Sequence, residues 1–349
     1  MSFTLRVDSA QWRRGLQTTI EDEPRTVPVI KGNGYGFGVH RLAVEAADLP
    51  VDTIAVGTNA EARVVQEAFD REVLVLTPWH PAYAAGDHAS VPGTIRTLSH
   101  AEAVLELATR DEGTPVIIEV LTSMRRHGID AGELALLLRP LESLDVRGYA
   151  LHLPIDRGAG YDAAAEVDRW AGALADAALS PKTLWVSHLS STEMARVRAF
   201  LPGADVRPRI GTALWLGDRS AFTVQATVLD VHRVARGDRV GYRQRKAQRE
   251  GHVVVVSGGT ANGVGLEAPA AAKGVSGRGK AVARGGLEAL GRAHSPFRLA
   301  GKRLWFAEPP HMQVSMLWLP GDTVPPAIGS DLTCQVRMTT ATFDHVEGI

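Results

Sequence analysis

The stretch Pro28 to Gly38, PVIKGNGYGFG, ends a short apolar run in a lysine and then alternates four glycines with Asn33, Tyr35 and Phe37. An apolar run without polar alternation predicts a strand buried on both faces. Lys31 ends that strand, and the glycines after it let backbone approach a ligand closely. A solvated surface lysine is the alternative, and the flanking sequence argues against it. A GxxxxGK[ST] phosphate loop places its lysine after the glycines, whereas here the lysine precedes them. A G-x-G-x-x-G loop needs a third glycine where Phe37 stands. What remains is an amine near an apolar pocket floor, able to lose its proton and form a Schiff base.

Similar runs recur outward from this one. VPVIK (27–31), TIAVG (53–57), VLVLTP (73–78), TIRTLS (94–99), PVIIEVL (115–121), VRGYALHL (146–153), TLWVSHL (183–189) and DVRPRIG (205–211) are mostly continuous apolar runs. Amphipathic helix candidates lie between them, among them NAEARVVQEAF, SHAEAVLELATR, DAGELALLLRPLES and AAAEVDRWAGALADAAL, while the one near HPAYAAGDHA is weak. Eight strands with intervening helices predict an α/β fold, a parallel (β/α)8 TIM-type barrel, with an open doubly wound sheet as the alternative. After Gly217 short strands are spaced by Gly, Asp and Pro turns, which predicts an all-β second domain. The expected boundaries are a barrel over 10–220 and a β-rich domain over 221–349 that also takes the N-terminal strand 1–9. The Gly/Ala/Arg-rich segment 266–299 reads as a mobile surface insertion, or as basic residues that touch an anionic ligand or partner.

A chain of 349 residues is long enough for two domains. Its 38 basic and 39 acidic residues give no basic surplus, which argues against a nucleic-acid binder. The single cysteine, Cys334, reads as a small buried hydrophobe, excludes an internal disulfide and fits a reducing cytoplasm. The N-terminus has no apolar signal region, and no run reaches the roughly 18 residues of a membrane span. The expectation is a soluble cytoplasmic protein with neither a membrane nor a nucleic-acid partner, and no metal site is expected.

VIKGNGYGFG resembles the pyridoxal-phosphate lysine motif of the alanine racemase family, V-K-A-x-A-Y-G-H-G, and the similarity continues along nearly the whole chain. The resemblance implies that Lys31 carries pyridoxal 5'-phosphate as a Schiff base and that Tyr35 bonds its phosphate. TSMRRHGI (122–129) resembles D-T-G-M-x-R-x-G and places Arg126 near the phenolic oxygen of the cofactor. GYALHLPID (148–156) resembles G-x-x-x-H-F, with His152 against the pyridine ring. SHLSSTEMAR (187–196) resembles H-x-A-N-S-A and aligns Ser191 and Thr192 with its Asn-Ser pair. RIGTALWLG (209–217) resembles R-x-G-x-A-L-Y-G, giving Arg209 to the pyridine nitrogen and Gly211 and Thr212 to the phosphate. GDRVGYRQRKA (237–247) resembles the segment with the second catalytic base, Tyr242. Helix starts and the last two barrel loops are customary phosphate sites, which agrees with several of these assignments. The resemblance also implies a homodimer with shared active sites, an amino-acid substrate, and proton transfer at Cα by Lys31 on one face and Tyr242 on the other.

The departures from the family pattern bear on the substrate. Glu119 stands where the family often has a carbamylated lysine, and a carboxylate there is expected to orient Arg126. Leu121 and Ser123 replace the Asp and Gly of D-T-G-M. G-Y-A-D-G is represented by GGTANG (258–263), with Thr260 at its tyrosine, and C-M-D by the start of SMLWL, where Met316 matches and Leu317 replaces the acid. The C-terminal R-V-P-R-x-Y is not visible. Cofactor binding is therefore expected more strongly than an alanine substrate. A decarboxylase or other lyase of the same fold, or a non-catalytic pyridoxal-phosphate protein, stands as the alternative; Cys334 lacks the Asp four residues on that the decarboxylases show.

Overall fold

The computed structural model describes residues 2–83, 91–110, 113–266 and 293–349. They divide into two compact units, residues 13–217 and residues 1–12 with 218–349. The chain opens with β1 (Phe3–Val7), a strand of the second unit. The first unit then builds β2 (Val27–Ile30), β3 (Thr53–Val56), β4 (Glu72–Val75), β5 (Thr94–Leu98), β6 (Pro115–Glu119), β7 (Asp145–His152), β8 (Thr183–Ser187) and β9 (Asp205–Ile210). All neighbouring pairs are parallel, and β9 returns to β2 with Arg209 beside Val27, so the sheet is a closed barrel and the open doubly wound alternative falls away.

Two-sided burial explains the unalternating strands. Val29, Ala55, Leu74, Ile117, Ala150 and Trp185 form one buried cluster. Intervening strand residues such as Ile118, Leu151 and Val186 instead pack with Val104, Leu107, Val167 and Val197 of the helices. Each such aliphatic side chain contributes about 1.5–3 kcal/mol when fully buried. Because the strands are parallel, all their C-terminal ends and the loops that follow lie at one end of the barrel.

Three helices start on a capping box, with Thr58, Asp130 and Ser190 as N-caps and Glu61, Glu133 and Glu193 reaching back. The helix expected over 130–143 is broken in two, Ala131–Leu136 and Leu138–Glu142. Pro140 accounts for the break: it has no N–H for the Leu136 carbonyl, and its ring crowds that carbonyl. Of the weak stretch near HPAYAAGDHA, Pro81–Tyr83 is a single 3-10 turn and residues 84–90 lie outside the described ones.

The second unit continues with β10 (Phe222–Val234), β11 (Arg239–Val240), β12 (Arg245–Lys246), β13 (Gly251–Ser257), β14 (His294–Leu299), β15 (Lys302–Phe306), β16 (Val314–Pro320), β17 (Asp331–Cys334) and β18 (His345–Glu347). The main sheet runs β13-β16-β15-β14-β17-β10-β1-β18, and β10 also pairs with β13, so six strands close on themselves. The 13-residue β10 serves both ends of that circuit through a bulge between Val228 and Asp230. Of the insertion expected over 266–299, residues 267–292 lie outside the described ones, and its C-terminal end is corrected. His294–Leu299 is a strand, paired with β15 and β17. Pro296 within it is a residue that strands rarely carry, which hid it in the sequence.

Cys334 is buried in β17, and burial pushes its thiol up. Among the described residues no helix is long and apolar enough to cross a membrane.

Candidate active site

Lys31 is the first residue after β2, at the end of the barrel where the loops gather. The next turns are folded by unusual backbone: Gly32, Gly34, Gly36 and Gly38 all have positive φ, and so does Tyr35, at φ 54° and ψ 26°. At Gly34 a Cβ would stand 2.7 Å from the Val39 nitrogen, so this position needs glycine for space as well as for conformation. Tyr35 itself is buried, a non-glycine residue held in the left-handed region by its packing. Glu61 ties the loop down: its carboxylate accepts the Gly32 N–H at 2.7 Å, the Gly57 N–H at 2.6 Å and the Thr58 N–H at 3.0 Å. It thereby joins the turns after β2 and β3.

The last strand of the barrel supplies the opposite wall. A Cβ on Gly211 would lie 2.0 Å from the Tyr35 hydroxyl, so the tyrosine reaches the loop after β9. Arg209 is 6% exposed, and its Nη2 donates to the Leu151 carbonyl at 3.2 Å and to Ser187 Oγ at 3.5 Å, while its Nε is buried without a hydrogen-bond partner. Ser187 Oγ also lies 2.8 Å from His152 Nδ1, and the Thr122 hydroxyl donates to the His152 carbonyl at 2.6 Å. The His188 ring meets the His152 ring edge-on at 5.0 Å. His188 has a positive φ of 65°, and its carbonyl accepts from Arg157, which also pairs with Glu193. The loop bearing Arg126 is anchored by buried Glu166, whose oxygens accept the Ser123 N–H at 2.6 Å, the Ser123 hydroxyl at 2.7 Å and the Tyr161 hydroxyl.

Basic groups crowd this end of the barrel and resist protonation. Lys31 keeps access to solvent, yet burial of its amine and then the charges of Arg126 and Arg209 hold it below the ordinary lysine range, with Glu61 opposing. The Lys31 amine has no hydrogen bond or ion pair among the described residues. Burial and the neighbouring cations push His152 down to about 2 and His188 down to about 4. Burial also lowers the Arg209 guanidinium; Glu119 opposes this and Arg126 adds to it. Burial raises the Tyr35 phenol to about 12, with help from Glu61. Such a set of cations and neutral bases attracts an anionic ligand.

The barrel brings together Lys31, Tyr35, Arg126, His152, Arg209 and Gly211. Ser191 and Thr192 are exposed first residues of the ten-residue helix Ser191–Phe200, behind the cap Ser190, and Thr212 opens the short helix Thr212–Trp215 after Gly211. Glu119 is buried, but no hydrogen bond or ion pair joins it to Arg126 among the described residues; its charge bears on Arg209 and His127. The expected Glu119–Arg126 bond is thus corrected. Met316 lies in β16 opposite Val255, and Tyr242 lies in the turn between β11 and β12; both belong to the second unit. Glu61, Glu166, Ser187 and His188 were not singled out from the sequence. Thr58-x-x-Glu61 carried the signal of a capping box, and His188 matches the histidine of H-x-A-N-S-A.

The family model described as the N-terminal domain of alanine racemase matches residues 10–218. The chain belongs to the alanine racemase family. An alanine racemase of Corynebacterium efficiens is 26% identical over 259 residues, 69% of each chain. The crystal structure of alanine racemase from Bartonella henselae with covalently bound pyridoxal phosphate has a TM-score of 0.69 at 19% identity, over 96% of this chain and 90% of that one. The histidine racemase of Leuconostoc mesenteroides subsp. sake has a TM-score of 0.66 at 16% identity, over 95% and 87%. The family model accounts for the barrel, while the likeness to solved alanine racemase structures extends the shared fold through the β-rich unit.

Proposed function

We propose that this member of the alanine racemase family is a pyridoxal-phosphate-dependent amino-acid racemase that moves the Cα proton with two bases, Lys31 and Tyr242. One observation carries the reading: a lysine with lowered proton affinity, its amine without a partner among the described residues, stands near two arginines at the barrel end.

The residues present fit the cofactor. Arg209 has a buried, unpartnered Nε to offer, and the lack of a side chain at Gly211 admits the Tyr35 hydroxyl to the loop after β9. Lys31 would hold pyridoxal phosphate covalently. Tyr35, Ser191, Thr192, Gly211 and Thr212 would hold its phosphate, with unpaired N–H groups at the helix starts attracting the anion. His152, neutral in these surroundings, would flank the ring, Arg209 would donate to the pyridine nitrogen, and Arg126 would face the phenolic oxygen. When bound, the cofactor supplies an electron sink that makes the Cα–H bond of an attached amino acid acidic.

Racemisation then needs an acid and a base on opposite faces of Cα. The Lys31 amine serves one face. Tyr242 serves the other, from the partner subunit of a homodimer; its 84% exposure on the single chain leaves the phenol open to such a partner. Glu119 balances the charge of Arg209 in this arrangement. Thr260 and Leu317 stand where the family has a tyrosine and an acid, and the smaller Thr260 favours substrates with a side chain larger than that of alanine.

Single-enantiomer amino acids incubated with the protein in deuterated water test the proposal. Inversion with deuterium at Cα is expected for at least one of them, and the Lys31→Ala variant should lose both this activity and the visible absorbance of bound cofactor. Retention of the absorbance in Lys31→Ala would overturn the reading.

A further inference from the structure

We propose that Glu308 and His311 are positioning residues for Tyr242, forming a platform that fixes the phenol for proton transfer. The inference rests on the racemase reading above, because Tyr242 is the second base only there. Tyr242 is 84% exposed in the two-strand turn, and an exposed tyrosine left to itself samples several rotamers. Here both its backbone and its ring are held.

Glu308 is 4% exposed, and a buried carboxylate is costly unless it is paired. Among the described residues its partners are the Tyr242 N–H, donated to Oε2 at 2.9 Å, and His311 Nε2, 2.6 Å from Oε1. The His311 ring in turn lies against the Tyr242 ring, centroids 4.6 Å apart and planes tilted by 33°. One carboxylate therefore sets the start of the tyrosine and, through the imidazole, the direction of its ring. The approach is close enough to dictate the preceding residue: Gly241 has a φ of 70°, and a Cβ there would stand 2.1 Å from Glu308 Oε2. The same segment pins the GGTANG turn, since the His311 carbonyl accepts the Thr260 N–H at 2.8 Å and the Met312 carbonyl accepts the Ala261 N–H at 2.9 Å. The loop from Glu308 to Met312 thus holds the second base and the turn bearing Thr260 as one piece.

In the two-base reaction the Tyr242 oxygen takes the Cα proton on its face as the Lys31 ammonium gives one to the other face, and the reverse direction exchanges the roles. Misplacing the phenol stops inversion but leaves Lys31 free to remove and return the proton on its own face. A merely structural platform would not split the reaction in this way.

The full-length holoenzyme carrying Glu308→Gln, His311→Ala or His311→Phe tests the proposal, with Tyr242→Phe as reference and thermal midpoints to confirm folding. In His311→Ala and Glu308→Gln, inversion should fall about tenfold to a hundredfold, while solvent deuterium entry without inversion, from the enantiomer that Lys31 deprotonates, stays within about twofold. His311→Phe, which keeps a ring for stacking, should recover part of the inversion. Independently of activity, the ring carbon resonance of 13C-labelled Tyr242, assigned by its loss in Tyr242→Phe, should move in His311→Ala. Inversion and exchange that fall together, or an unmoved resonance, would overturn the platform alone. A wild-type holoenzyme that inverts no amino acid would overturn the racemase reading, and with it the proposal, even if the resonance moves.

Discussion

The Tyr35 hydroxyl occupies the space in which a side chain on residue 211 would begin, 2.0 Å from where its Cβ would stand. Tyr35 is buried and cannot swing clear, so an added methyl is overpacking that costs about 1–3 kcal/mol. Gly211→Ala is therefore expected to lower unfolding free energy in urea by about that amount and to weaken pyridoxal-phosphate binding in an absorbance titration. Adding Tyr35→Phe removes the closest clashing atom and leaves the ring carbon 2.9 Å away, so the pair should regain part of the stability without regaining cofactor affinity. If the two losses simply add, the contact is not what constrains residue 211.

The depressed histidines give the cofactor-free protein a pH dependence whose sign is fixed. His152, pushed down to about 2, and His188, pushed down to about 4, are neutral when folded near neutral pH. In the unfolded chain each binds a proton below about 6.5. The unfolded state thus holds more protons in that window, and stability drops as pH falls from about 6.5 toward the folded values. Urea midpoints measured from about pH 7 to 5 should decline, and His152→Gln with His188→Gln should flatten the decline. Identical slopes in variant and wild type would refute this origin.

Glu61 acts on Lys31 through both structure and charge. Glu61→Gln leaves a single carbonyl oxygen for the N–H groups of Gly32, Gly57 and Thr58, and an unmade bond of this kind costs about 1–3 kcal/mol. Removing the negative charge also deepens the depression of Lys31. Covalent capture of pyridoxal phosphate, followed by absorbance against pH, should shift its midpoint downward; an upward shift would contradict the assignment.

Glu166 is the anchor of the Arg126 loop. Glu166→Ala strands the donors of Ser123 and Tyr161, and a stability loss of about 1–3 kcal/mol is expected. Hydrogen exchange should show the amide of Ser123 losing protection while amides of the neighbouring strand keep theirs. Equal loss along β6 would mean that Glu166 supports the whole wall instead.

The barrel was legible because two-sided burial leaves its mark in each strand separately, as VPVIK and TLWVSHL show, and because parallel order follows once helices alternate with strands. The β unit was legible only as a list of strands: the pairing of β10 with β13 and of β1 with β18 joins segments far apart in sequence. Pro296 concealed a real strand, and Pro140 broke a helix that periodicity alone would run through. At the site, motif residues at strand ends were visible one by one. Of Glu61 only the capping box with Thr58 was legible, not its bond to Gly32, 29 residues away, and Glu166 was hidden because it accepts from Ser123, 43 residues away. Glu119 was read as a partner of Arg126 from position alone, and only the folded barrel turns its charge toward Arg209.

Cys334 has a practical consequence. The residue is 6% exposed, and burial pushes the proton affinity of its thiol up, so reagents that need a thiolate meet no reactive sulfur in the folded chain. A cysteine introduced at an exposed position such as Arg243 would accept a single fluorophore or spin label without removal of the native one. Conversely, the slow modification of Cys334 in unsubstituted protein becomes a clock for the opening of the strand that shelters it.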